Sequence, residues 1–214
     1  MGCDIHIHIE YKDKKSDKWK QYYWYDNYKD KSGKIDWNKV FDDDLHIGRD
    51  YDLFGLLADV RNYDDIPSIC LPRGLPDDVS DSVYLEYKEW DCDGHSHSYY
   101  TLSELKDYPW EKKYKKEGLV SKKSYEEYIC SGRIREYCRN AFGNIKILSE
   151  EEMKEIAFRN DKDDCDGNIY CRLVWYETME VRFSYFYNDF LNKIRELFPN
   201  HSDDELRLVF WFDN

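Results

Sequence analysis

The chain is predicted to be α+β, with its N- and C-terminal strands paired in one mixed or antiparallel sheet and several helices packed on it. Three observations carry this. The first ten residues, Met-Gly-Cys-Asp-Ile-His-Ile-His-Ile-Glu, alternate with the period of a strand. The last stretch, Leu206 to Asp213, sets Leu208, Phe210 and Phe212 against Arg207, Val209, Trp211 and Asp213, apolar on both faces as a central strand is. Between the two lie segments with helical spacing. A length of 214 residues fits a single domain spanning 1–214.

In the opening strand, Cys3, Ile5, Ile7 and Ile9 share one face, while Asp4, His6, His8 and Glu10 share the other. Asp13 to Asp17 reads as a turn and Trp19 to Tyr25 as the returning strand of a hairpin. Residues 26–48 read as a loop. Tyr51 to Arg61 carries a broad apolar stripe of Leu53, Phe54, Leu57, Ala58 and Val60, which predicts a helix. A proline- and glycine-punctuated loop follows, ending in Pro72-Arg73-Gly74-Leu75-Pro76-Asp77-Asp78-Val79-Ser80. Ser80 is placed to N-cap a helix that buries Val83, Tyr84, Tyr87 and Trp90. That helix stops in a loop over Asp91 to Ser98. Thr101 with Glu104, and Ser149 with Glu152, form capping boxes for two further helices, the first closed by Pro109 and the second running to about Arg159. Ser124 to Arg139 reads as helical, Asp161 to Gly167 as a turn, Ile169 to Tyr176 as a strand, and Arg182 to Phe198 as an amphipathic helix.

Composition excludes several classes of function. The hydrophobic fraction of 41%, with 17% aromatics, supports a core despite 36% charged residues. A net charge of -13 argues against a nucleic-acid polymer as partner, because phosphate backbones are bound by neutralising them. Seven cysteines without a C-x-x-C spacing, and no secretory signal, point to free thiols in the cytoplasm. No apolar run approaches the roughly 20 residues that cross a bilayer, so no membrane partner is expected. A homo-oligomer is admissible.

Four of the six histidines sit in two His-x-His dipeptides, His6/His8 and His95/His97, each with an aspartate two residues upstream, Asp4 and Asp93. If the Gly94 loop folded over the polar face of the first strand, Asp4, His6, Asp93, His95 and His97 would converge as ligands for a divalent metal (Mn, Zn or Mg), with His6, His95 and Asp93 carrying proton transfer. Such a metal would acidify water and neutralise an anionic leaving group. A calcium loop is excluded, because Gly94 or Gly167 at the sixth position puts Tyr100 or Leu173 where a bidentate Glu belongs. Arg49, Arg61 and Arg73 stand at loops or helix ends and are candidates for gripping phosphate, joined in the ligand-binding set by Tyr51, Ser96 and Ser98. Pairing with nearby aspartates is the competing fate of each arginine. Cys3 points into the core and is not expected to be a nucleophile.

Taken together, Met1 to His6 (MGCDIH), Tyr51 to Asn62 (Y-x-L-F-x-x-L-A-x-V-R-N), Pro72 to Ser80, Asp93 to Ser98 (D-G-H-S-H-S) and Val209 to Asn214 (V-F-W-F-D-N) resemble a family of uncharacterised proteins encoded mostly by bacteriophages and prophages. The resemblance covers the first 105 residues in patches and the last six, with nothing specific between Trp110 and His201. It implies a viral context without a mechanism. It also favours Asp4 and His6 over His8, leaving His8 and Glu10 in supporting or exposed roles. The opening is also similar to the D-x-H-x-H start of PHP-type and amidohydrolase metal enzymes, which implies phosphoester or amide hydrolysis. The expectation is therefore a phage-type, phosphoesterase-like hydrolase acting on a small phosphorylated or nucleotide ligand in the host cytoplasm, with a counter-defence role. The alternatives are a non-catalytic protein that sequesters such a ligand and an acidic inhibitor of a host protein.

Overall fold

The computed structural model describes residues 2–159 and 168–213. By its contacts the chain divides into two compact units, Met1–Lys112 with Met179–Asn214, and Lys113–Thr178. Each unit is described by itself.

The first unit opens with β1 (Ile5–Asp13), which turns on the Asp13 carboxylate, an acceptor for the Ser16 N–H (3.1 Å), into β2 (Lys18–Tyr22). Pairing ends at Ile9↔Tyr22, so β2 is shorter than the expected run to Tyr25. A one-turn helix, α1 (Trp37–Phe41), lies within the segment expected to be loop. The expected helix after it is α2 (Tyr51–Ala58), whose Asp50 cap accepts from the Asp52 and Leu53 N–H groups and which Asp59 ends in a left-handed conformation (φ 58°). Ser80 caps α3 (Asp81–Trp90) as expected.

The expected loop at 91–98 is the principal departure. Its second half begins β3 (His95–Thr101), which is followed by α4 (Leu102–Lys106) behind the Thr101/Glu104 capping box. Gly, Ser and His mask a strand there, because the partner that orders it lies far away in sequence at the C-terminus.

The second unit consists of β4 (Lys113–Ser121), α5 (Lys122–Ser131), β5 (Lys146–Leu148), α6 (Glu150–Ile156) and β6 (Ile169–Thr178). Its sheet has the order β4-β6-β5, antiparallel then parallel. Val120, Tyr125, Met153, Cys171 and Trp175 build its core. Gly132, at φ 70°, ends α5 well before Arg139, where the expected helix ran. The turn expected over 161–167 lies outside the described residues.

The chain re-enters the first unit with α7 (Met179–Arg182), a π-helical stretch (Tyr185–Phe190), α8 (Leu191–Leu197) and finally β7 (Leu206–Phe212). The helix expected over 182–198 is thus present in pieces, with Phe186 and Phe190 stacked at 5.3 Å across the wider turn.

The four-stranded sheet runs β2-β1-β7-β3, antiparallel throughout, with β7 central and all seven of its residues buried, as expected. The register sets His6 beside Trp211, His8 beside Val209 and Glu10 beside Arg207. One face carries Ile5, Ile7, Ile9, Leu208, Phe210 and Phe212, with α2 packing on it through Phe54 (5.1 Å from Phe212). The other carries His6, His8, Glu10, Arg207, Val209 and Trp211, and α3 packs on it through Val83, Tyr87 and Trp90.

Glu10 is 0% exposed and Arg207 4%, so of the supporting or exposed role expected of Glu10 the exposed alternative is corrected. Arg207 donates from Nε to Glu10 Oε2 (2.7 Å) and from Nη1 to Asp78 Oδ1 (2.6 Å), while the Ser80 N–H donates to Glu10 Oε1 (2.8 Å). The 72–80 segment is thereby latched to the sheet. No described helix is long and apolar enough to cross a membrane.

Candidate active site

The chemistry-bearing residues gather at the end of the sheet where β1 begins and β7 ends. Past Phe212 the ladder closes with the Asp213 N–H donating to the Asp4 carbonyl (3.1 Å) and the Asp4 N–H donating to Asp213 Oδ1 (2.8 Å). The second carboxylate oxygen of Asp213 accepts from His6 Nε2 at 3.1 Å. With a carboxylate at Nε2 the ring proton belongs there, and Nδ1, which makes no hydrogen bond among the described residues, keeps its lone pair. The ring packs on Trp90 (4.0 Å between centroids), and its side chain stays 26% exposed.

Asp4 faces Arg49 in a bidentate pair, accepting from Nε at 2.9 Å and Nη2 at 2.7 Å, and this hydrogen bonding holds its carboxyl below the usual range. Arg49 Nη1 lies over Gly2 so closely that a Cβ there would sit 2.4 Å from it. Glycine is the residue that leaves room for the guanidinium. Cys3 is buried, as expected, and burial raises its thiol above the ordinary value, with the neighbouring Arg61 guanidinium pulling the other way.

Three of the expected site residues, Asp4, His6 and Arg49, are therefore brought together, and Asp213, which no reading of the sequence singled out as polar chemistry, completes them. Its signal was available: a carboxylate closing an otherwise apolar strand whose pairing with β1 was foreseen.

The two His-x-His segments do not converge. His95 pairs with Phe212, which pairs with Ile5 on its other side, so β7 separates the segments by two strand spacings, about 10 Å. Ser96, at φ 53°, sits where the β3 register shifts, and the bulge turns His95 towards Phe212 (6.0 Å) and His97 towards Trp211 (5.9 Å), on opposite sides of β7. Among the described residues, no group of three or more His, Cys, Asp or Glu is placed to hold a metal ion. Asp93 is exposed, and its N–H donates to the Trp90 carbonyl (2.9 Å).

The remaining candidates have structural partners. Arg73 donates to Glu104 (2.7 and 3.2 Å) and to the Tyr99 carbonyl, and lies over the Tyr99 and Tyr100 rings. Ser98 is buried and accepts from the Arg73 N–H (3.3 Å); Ser96 Oγ meets His95 Nδ1 at 3.0 Å. Tyr51 packs on Phe54 and Tyr63, and Arg61 reaches the Tyr63 hydroxyl at 3.5 Å.

Beneath α3, His8 stacks on Trp211 at 4.4 Å. Burial, aided by the nearby His6, lowers its pKa to about 3, so the ring is neutral, with Nδ1 3.1 Å from the Gln21 side-chain amide. Beside α3 lies a cleft of about 450 Å³ between the 74–79 segment and the helix, reached by Tyr84, Tyr87, Lys88 and His97. No family model matches the chain, and neither a curated protein nor a solved structure matches it.

Proposed function

We propose that the chain is a phosphoesterase-like hydrolase of small phosphorylated or nucleotide ligands, of the phage-associated kind to which its motifs are similar. The observation that carries this reading is the His6–Asp213 pair, with Nε2 committed to a carboxylate and Nδ1 left open. In the step envisaged, water gives a proton to His6 Nδ1 as its oxygen bonds to phosphorus. The ester P–O bond breaks with its electron pair on the leaving oxygen, which takes the proton back from Nδ1. Asp213 is the positioning residue, locked by its two bonds to Asp4. Arg49 keeps Nη1 for a phosphate oxygen while Asp4 holds its other edge. The residues are those of acid–base catalysis.

The test is phosphate release from a panel of nucleotides and simple phosphoesters. His6→Gln should lower kcat by about 10²- to 10⁴-fold, and Asp213→Asn should lower kcat with little change in KM. Activity equal in His6→Gln and the unaltered protein would contradict the reading. Recovery of every ligand unchanged would favour the second reading, a protein that sequesters its ligand, which the cleft beside α3 supports.

A further inference from the structure

We infer that the cleft between Gly74–Val79 and α3 is a binding site for a nucleoside monophosphate, formed independently of His6. Four features point to this chemistry. The cleft's volume, about 450 Å³, falls within the range of small-molecule sites. Tyr84 and Tyr87 give it aromatic surface, Tyr84 being 43% exposed, and such rings take a purine or pyrimidine face. Lys88 lies 5.2 Å from the Tyr84 ring centre and 5.9 Å from that of Tyr87, and it forms no ion pair with any described carboxylate. In a chain of net charge -13, a lysine beside two rings, hydrogen-bonded to the Tyr84 hydroxyl and near Asp91 but in no ion pair, is a local place for a phosphate. Asp77, on the opposite rim, would repel a bare anion but accepts hydrogen bonds from a ribose diol or an exocyclic amine, which separates a nucleotide from inorganic phosphate.

His97 supplies a further polar contact. Its Nε2 is buried without a partner, close to where a Gly94 Cβ would stand (3.3 Å). A buried lone pair costs less than a buried unsatisfied N–H, so the proton belongs on Nδ1, the nitrogen left to reach solvent or a ligand. The walls are fixed in advance. The Gly74 N–H donates to the His97 carbonyl (2.8 Å), Gly74 itself sits at φ 80°, and Asp78 and Ser80 anchor the same segment to Arg207 and Glu10.

Calorimetric titration with adenosine, guanosine, cytidine and uridine 5′-monophosphates, with adenosine and with inorganic phosphate, tests the assignment. At least one monophosphate should bind, at least tenfold tighter than either fragment. Lys88→Glu and Tyr84→Ala, both at the surface of α3, should each weaken it at least tenfold with thermal unfolding unchanged. His6→Gln should leave it unaltered, so that loss of the hydrolytic reading and loss of this one are told apart. Absence of heat with all four at millimolar concentration, or binding indifferent to both Lys88→Glu and Tyr84→Ala, would overturn the inference.

Discussion

Glu10 and Arg207 are charges with almost no exposure, and such a pair is stable only while both partners and their remaining hydrogen bonds are intact. Arg207→Met leaves Glu10 buried beside an apolar chain. It is expected to cost about 3–5 kcal/mol in urea unfolding, and exchanging both residues together for apolar ones should cost less than the single change. His8 makes a different demand. It is neutral in the folded chain down to about pH 3, whereas unfolded it titrates near 6.5, so between these values the unfolded state binds the extra proton. Its contribution is complete above about pH 6.5 and is lost as pH falls towards 3, by at most about 5 kcal/mol. Unfolding free energies measured from pH 7 to 4 should therefore fall less steeply in His8→Asn than in the unaltered chain. Parallel slopes would mean that the burial of His8 does not set the acid sensitivity.

Capping and terminal signals were legible because they are local. Ser80, the Thr101/Glu104 box and the Ser149/Glu152 box all cap helices where expected, and the alternation in β1 and β7 marked both strands. β3 and β4 were not legible. In β4 the inward positions Tyr114, Lys116, Gly118 and Val120 break the apolar alternation with a lysine and a glycine. Lys116 is nonetheless buried, over the Tyr137 ring at 4.8 Å and 3.7 Å from Glu177. Gly118 is needed there, since a Cβ would come within 2.6 Å of Tyr137. Gly118→Ala should lower the melting temperature through displacement of that ring, while Gly132→Ala, strained at φ 70°, should cost about 1 kcal/mol. At the site, Asp4, His6 and Arg49 were found from residue type, but the convergence of the two His-x-His segments was not a consistent expectation. A central β7 stands between the strands that carry them.

The motif segments 1–6, 51–62, 72–80, 93–98 and 209–214 all belong to the first unit, and their packing explains their spread along the chain. The opening and closing stretches meet as β1 and β7, joined past the strand ends by Asp4 and Asp213. The 72–80 segment is latched to both strands, and the 93–98 segment leads into β3 on the other edge of β7. The second unit, Lys113–Thr178, lies within the stretch that carries none of these motifs. Its two chain neighbours are already bonded, with the Met179 N–H donating to the Lys112 carbonyl (3.0 Å) and the Glu180 N–H to that of Trp110 (2.8 Å). A chain in which Lys113–Thr178 is replaced by a short Gly-Ser turn is therefore expected to keep a cooperative unfolding transition. A non-cooperative, molten chain would show that the first unit depends on the second.

In the proposed mechanism Asp213 holds His6 with its proton on Nε2 and its Nδ1 lone pair open. Long-range ¹H–¹⁵N correlation of the imidazole nitrogens, with His6 assigned by its absence in His6→Gln, measures this directly. At neutral pH the neutral His6 ring should be found as the Nε2–H tautomer with an unprotonated Nδ1, and Asp213→Asn should remove that preference. A proton on Nδ1 in the neutral ring, or a tautomer indifferent to Asp213→Asn, would rule out His6 Nδ1 as the base.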